Sequence, residues 1–133
     1  MLRPRRTKYK KYRRGRLKRN LDYKSNKLKF GTIGLQATER GFLTANQIEA
    51  GRRTITGYIK RAGKVFIRAF PDHPITSKPA EVRMGKGKGS VDYWVCKIKP
   101  GKILFEVAGR NPILIKEALK QVSLKLPMAT KIL

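Results

Sequence analysis

The stretch whose residue types come nearest to known chemistry is Arg83-Met84-Gly85-Lys86-Gly87-Lys88-Gly89. Alternating glycines let a backbone approach a phosphate or ribose closely, and the lysines between them supply charge. The spacing excludes the two common nucleotide-binding loops. A P-loop needs four residues between its first glycine and Gly-Lys-Ser/Thr, and a dinucleotide fingerprint needs a third glycine where Ser90 stands. Alternation from Val91 to Ile98 then predicts a strand, where either motif requires a helix. The loop reads as a flexible basic hairpin tip or as a finger that touches RNA, and the charge of the chain favours the finger.

No other constellation is poised for catalysis. The carboxylates Glu39, Glu49, Asp72, Glu81, Asp92, Glu106 and Glu117 are scattered, and none pairs with another at helical spacing. The one histidine, His73, stands between prolines in an expected loop with no ligand partner near it, which suits a structural or solvated role. The one cysteine, Cys96, permits no internal disulfide and no cysteine-based zinc site, and a buried thiol is commoner than a reactive one. A metal site needs three or four convergent ligands, and none can be named. The expectation is a protein without enzymatic activity, metal or cofactor.

The bulk properties point to a polyanionic partner. The chain has 133 residues, with 33 Lys plus Arg against 8 Asp plus Glu, a net charge of +25. Such a surface repels itself until a polyanion neutralises it. Length allows one domain with a tail. No apolar run approaches the ~18 residues of a membrane span, and no apolar region follows the basic N-terminus as in a secretory signal. The N-terminus is Arg-rich and acid-poor like a transit peptide but lacks the serines of one.

Half of the charge lies in the first 29 residues, which carry fourteen basic side chains and one acid, Asp22, for a net +13. Leu2, Leu17, Leu21 and Leu28 are too sparse to define a buried face, while Tyr9, Tyr12 and Tyr23 could stack on bases. This segment reads as a solvated arm or as one that orders on RNA or DNA, and so dense a charge block favours ordering on nucleic acid. Residues 1–27 are taken as a basic RNA-binding extension and 28–133 as a single domain.

The elements of that domain follow from periodicity. Residues 28–37 predict a strand bent at Gly31 and Gly34. Thr44 and Gln47 form a capping box, and Ile48, Arg52, Ile55, Ile59 and Ala62 recur at helical spacing, which predicts a helix over about 44–62 with Gly63 as its C′ residue. Arg53, Lys60 and Arg61 lie on its other face, either solvated or contacting phosphate; the charge of the chain favours contact. A strand is expected at Lys64–Phe70, then a long irregular loop enforced by Pro71, Pro74 and Pro79, then a short extended piece at Glu81–Met84. Val91–Ile98 and Lys102–Ala108 read as outgoing and return strands about the Pro100-Gly101 turn. Asn111-Pro112 opens a second helix with Ile115, Ala118, Leu119, Val122 and Leu126 on one stripe, stopped by Pro127; the last residues look frayed. The fold class is α+β: two helices on a curved, mostly antiparallel sheet.

Specific motifs then carry a resemblance: Met1-Leu2-Arg3-Pro4-Arg5-Arg6-Thr7-Lys8-Tyr9, Gln47-Ile48-Glu49-Ala50-Gly51-Arg52-Arg53, Phe70-Pro71-Asp72-His73-Pro74-Ile75-Thr76, Arg83 to Gly89, and Tyr93-Trp94-Val95. Over nearly its whole length the chain resembles the bacterial-type large-subunit ribosomal protein L-sixteen family, with members in bacteria, plastids and mitochondria. The resemblance implies a hammerhead-type α+β fold. It implies binding to large-subunit ribosomal RNA near the A site and central protuberance, with support of aminoacyl-tRNA. The partners would be that RNA, A-site tRNA and neighbouring large-subunit proteins. RNA contact maps by likeness onto Arg3, Arg5, Arg6, Lys8, Lys10, Lys11, Arg13, Arg14 and Arg16, onto Arg52 and Arg53, and onto the loop Arg83–Lys88. The arginine matching Arg83 is hydroxylated in some bacterial members. Residues 17–29 match loosely, and His73 stands where a lysine is usual. Gly51 resembles organellar members, and the match from Met1 leaves no room for a transit peptide, so an organellar chain would be made inside its organelle. The rivals from other classes are a free RNA chaperone or DNA-compacting protein, and a nucleotide-dependent enzyme using Gly85–Ser90.

Overall fold

A computed structural model of the chain describes residues 2–17 and 19–133. Its elements in chain order are β1 (Ile33–Ala37), β2 (Gly41–Thr44), α1 (Ala45–Tyr58), β3 (Gly63–Ile67), β4 (His73–Ser77), β5 (Ser90–Ile98), β6 (Ile103–Gly109), α2 (Pro112–Ser123) and β7 (Thr130–Ile132). The strands pair antiparallel in two sheets, β3-β6-β1-β7 and β2-β5-β4. The α+β class is as expected, with the sheet divided in two.

Both helices start where side chains satisfy the first free N–H groups. Thr44 Oγ1 accepts from the Gln47 N–H at 3.3 Å, and Gln47 Oε1 accepts from the Thr44 N–H at 2.9 Å. At α2 the Asn111 side chain accepts from the Ile113 and Leu114 N–H groups, and Pro112 needs no donor partner at the first position. α1 buries Ala45, Ile48, Gly51 and Ile55; α2 buries Ile115, Ala118, Leu119 and Val122. The two faces meet each other and the four-stranded sheet, whose central strands supply Leu35, Leu104, Phe105 and Val107 to the core. Residues 103–107 are all buried, because helices cover one face of β6 and the segment around Leu28–Gly31 covers the other.

Six local expectations are corrected. The loop at 71–79 contains β4, because this is an edge strand and Pro74 needs no ladder donor on its open side. β5 and β6 are not a hairpin: the chain changes sheet at Gly101, whose N–H donates to the Ala37 carbonyl at 2.7 Å. α1 ends at Tyr58, so Lys60 and Arg61 lie beyond it, at φ 48° and 62°; these two, not Gly63, make the left-handed exit, and Gly63 opens β3. Glu81–Met84 is a run of turns and bends. The C-terminus is a strand, held to β1 by reciprocal hydrogen bonds between Gly34 and Leu133. Finally, α2 stops at Ser123, three residues before Leu126.

Candidate nucleic-acid interface

The extension has no helix or strand among its described residues, and Arg3, Arg5, Arg6, Lys8, Lys10, Lys11, Arg13, Arg14 and Arg16 are all exposed. It nevertheless lies against the body. Leu2 packs on the edge of the core, and with Arg3 it borders a 610 Å³ cavity beside Asn46, Tyr93 and Trp94. Farther along, Tyr9 and Tyr12 meet edge to face, with centroids 6.2 Å apart, and the Tyr12 ring lies 6.0 Å from that of His73. The Arg14 guanidinium sits over the Phe42 ring of β2, and Arg40 Nη1 donates to the Leu17 carbonyl at 2.8 Å.

These anchors bring the extension to the glycine-lysine loop. The loop joins β4 to β5 and is the tip of that antiparallel pair. Arg83, Met84, Gly85, Lys86, Gly87 and Lys88 are exposed, and Gly89 is half-buried at its base. Gly85, Lys86 and Gly87 take positive φ in succession, at 102°, 52° and 84°, a path free of strain at the two glycines and left-handed at Lys86. Lys11 Nζ donates to the Lys88 carbonyl at 2.8 Å, and Lys88 Nζ donates to the Tyr12 carbonyl. Lys78 Nζ donates to the Gly85 carbonyl at 2.6 Å. Two basic segments more than seventy residues apart thus form one continuous cationic surface.

The α1 cations are arranged differently. Arg52 and Arg53 both bond Glu49, at 2.6–2.9 Å and 3.1 Å. The hydrogen bond from Arg52 chiefly holds the Glu49 carboxyl down at about 2, so the trio carries one net positive charge near neutral pH. Lys60 and Arg61 are exposed at the left-handed exit of α1, and Lys60 shares a shallow 490 Å³ depression with Arg53, Tyr58 and Lys125.

Two features lie beyond what the sequence indicates, the buried Glu106 and the lysines beside a buried His73. Glu106 is fully buried on β6; its Oε2 accepts the N–H groups of Lys29, Phe30 and Gly31 at 3.1, 2.6 and 2.8 Å, and its Oε1 pairs with Arg68. Burial raises its pKa, but these hydrogen bonds outweigh that and hold it below its usual 4.5. Nothing in the sequence marks it, because it alternates correctly for a solvent-facing strand position. His73 is buried in β4, and burial, aided by Lys97, holds its imidazole below the usual 6.5. Lys97 and Lys102 line a cavity with it. Cys96 is buried as expected, and burial raises its thiol. Among the described residues there is no group of three metal-ligating side chains, and no helix is long and apolar enough to cross a membrane.

Comparison with known proteins gives the family. The family profile of ribosomal protein L16p/L10e matches residues 4–133. The chain is 57% identical over 132 residues to the large ribosomal subunit protein uL16 of Acinetobacter baylyi, covering 99% of this chain and 96% of the relative. It is 56% identical over 130 residues to the protein of the same name from Francisella tularensis, covering 98% and 94%. A family profile matched over residues 4–133, with 56–57% identity over nearly every residue, shows that the chain belongs to the ribosomal protein L16p/L10e family and is a structural constituent of the ribosome.

Proposed function

We propose that the chain sits in the large ribosomal subunit, binds large-subunit ribosomal RNA near the A site and central protuberance, and supports aminoacyl-tRNA in the A site. Neighbouring large-subunit proteins complete its partners, and the setting is a bacterial cytoplasm or an organelle. The observation that carries this reading is the junction of Lys11 and Tyr12 with Lys88, which joins the extension and the loop into one phosphate-binding surface. Residues 1–27 act as the RNA-binding extension and 28–133 as the domain that fixes its direction. Contacts from Asp22 and Ser25 to Pro100 and Ile103 tie the end of the extension to the body.

The mechanism is electrostatic and architectural. Lysine and arginine neutralise phosphates so that RNA helices can approach, and the folded body sets their relative orientation. The loop, which is free of acidic residues from Val82 to Ser90, is the part assigned to tRNA. Family membership speaks against a free RNA chaperone or DNA-compacting protein.

The test is sedimentation of the tagged protein through a sucrose gradient, where it should travel with large subunits; co-sedimentation with nucleoid or mixed RNA would overturn the reading. If about 6–10 phosphates are engaged, binding to isolated ribosomal RNA should weaken about 10³–10⁵-fold between 50 and 200 mM salt. Lys86→Ala with Lys88→Ala should slow A-site tRNA accommodation more than subunit assembly. The reverse order would make the loop an assembly element.

A further inference from the structure

A second cavity, of 420 Å³, opens beside the extension and is walled by Tyr12, Phe70, His73, Cys96, Lys97 and Lys102. Its size falls within the range of about 300–1,000 Å³ usual for small-ligand pockets. Three observations make it more than a gap.

First, His73 is 8% exposed, and among the described residues its Nε2 has no hydrogen-bond partner. Buried polar groups are nearly always paired, so an orphan beside a cavity marks the place of an absent partner. Second, Lys97 and Lys102 make no salt bridge among the described residues, and the one hydrogen-bond contact of the Lys102 ammonium is the Cys96 sulfur at 3.8 Å. Asp72 on the rim offsets one of these charges, and Arg68, which also borders the cavity, is already taken by Glu106. Third, the walls include two aromatic rings, Tyr12 and Phe70, and Tyr12 is held in place by the Lys88 ammonium on its carbonyl. Aromatic rings and an unpaired imidazole nitrogen match a base and its edge, and free ammonium groups match a phosphate.

We propose that this cavity receives one unstacked nucleotide of the RNA bound by the extension. The base lies against Tyr12 and Phe70 with an edge hydrogen-bonded to His73 Nε2, and its phosphate rests on Lys97 and Lys102. This deepens the RNA-binding reading above and rests on it. Single-stranded RNA is commonly read in this way, with bases splayed onto aromatic rings and hydrogen-bonded along their edges. Because Tyr12 belongs to the extension, the cavity is complete only with the extension docked, so a captured nucleotide would also lock the extension onto the body.

His73 is the only imidazole of the chain, so its C–H proton signals report on the cavity alone. The full chain is titrated at constant ionic strength with uridine or adenosine 5′-monophosphate, and in parallel with the bare nucleoside and inorganic phosphate. A saturable shift of the His73 signals is expected with the nucleotide, at an affinity about tenfold or more above that of either half alone. Tyr12→Ala and Lys97→Ala should each weaken it about tenfold. Tyr12→Phe, which keeps the ring, should retain the affinity, and Lys116→Ala on the outside of α2 should not change it. An equal response to phosphate and nucleotide, or no saturable shift at millimolar nucleotide, would overturn the proposal. Ribosomal RNA retention by the same samples separates the two readings: retained, salt-dependent RNA binding with a silent His73 defeats the cavity alone, whereas loss of both defeats the RNA-binding reading.

Discussion

Glu106→Ala tests the least expected part of the structure. The buried carboxylate accepts three backbone N–H groups from residues 29–31 and pairs with Arg68, so it fastens the last part of the extension to the sheet. Hydrogen bonds to a charged group contribute about 1.5–3 kcal/mol each, but their sum overstates the loss. Lys29 and Phe30 are exposed, so water can reach their N–H groups once the chain loosens. The Arg68 side chain is 16% exposed and can swing into solvent. Breaking one partner of a buried pair typically costs about 3–5 kcal/mol, and these escapes put the expected loss near the lower end, about 3–4 kcal/mol. For a chain of this length that is a fall in Tm of about 10–20 °C.

The assay is urea and thermal denaturation followed by circular dichroism. Tryptic cleavage at Lys27 and Lys29 should accelerate in the same variant, because the segment is released. Arg68→Ala and the double variant close a cycle, and a coupling of about 2 kcal/mol or more is expected between residues that touch. The pH dependence has a fixed sign. A carboxyl whose folded pKa is depressed contributes stability above its ordinary value near 4.5, and that contribution is lost as the pH falls below 4.5 through the folded pKa. Glu106→Ala should flatten the acid limb of the stability profile there. A loss under about 1 kcal/mol with an unchanged acid limb would refute the reasoning.

Other substitutions test the packing and the interface. In Gly51→Ala the new methyl would lie 2.7 Å from Phe105 Cζ and 3.3 Å from Val122 Cγ1. Overpacking of about 1–3 kcal/mol set against a helix-propensity gain of up to about 1 kcal/mol leaves a net loss of about 1–2 kcal/mol by urea denaturation, and a gain would show the contact to be loose. Arg61→Gly relieves a left-handed residue at φ 62° and should gain about 0.5–1 kcal/mol while flattening the salt dependence of RNA binding by about one unit; an unchanged slope takes Arg61 off the RNA. A proton NMR titration of the free protein should place the His73 midpoint below 6.5, because burial and Lys97 both oppose its protonation; a midpoint above 6.5 would mean the imidazole faces water or an anion.

What was legible in the sequence is what local rules decide. Both helix starts were readable, because Thr44 with Gln47 and Asn111 with Pro112 satisfy helix N-termini from within a few residues. The helix exits were not: α1 leaves through Lys60 and Arg61, residues that no propensity places at positive φ, and β3 fixes that turn from outside. β2, β4 and β7 are short, and all three are edge strands, so pairing across the fold rather than alternation creates them. The cationic loop and extension were legible as charge, but their contact was not, since Lys11 and Lys88 meet only when β4 and β5 have paired. Lys97 and Lys102 escaped notice because each reads as a solvated strand-end lysine until the burial of His73 is seen.

The eight acids explain how a chain of +25 can hold together before any RNA arrives. Half of them act inside the structure. Glu106 closes on residues 29–31, and Glu49 gathers Arg52 and Arg53. The Asp22 side chain accepts from the N–H groups of Lys24 and Ser25, and Glu39 accepts from that of Ala129. Three of these four bind backbone, where one carboxylate fixes chain direction, and of the three only Glu106 also takes up a cation, Arg68. Repulsion among the remaining ammonium and guanidinium groups is therefore left to be relieved by phosphate. It follows that the same cations should oppose folding at low salt and promote it once RNA is bound, so stability of the free chain should rise with ionic strength while RNA affinity falls. The Glu106 pair, being buried, should be nearly blind to salt, which separates what holds the body together from what holds it to its partner.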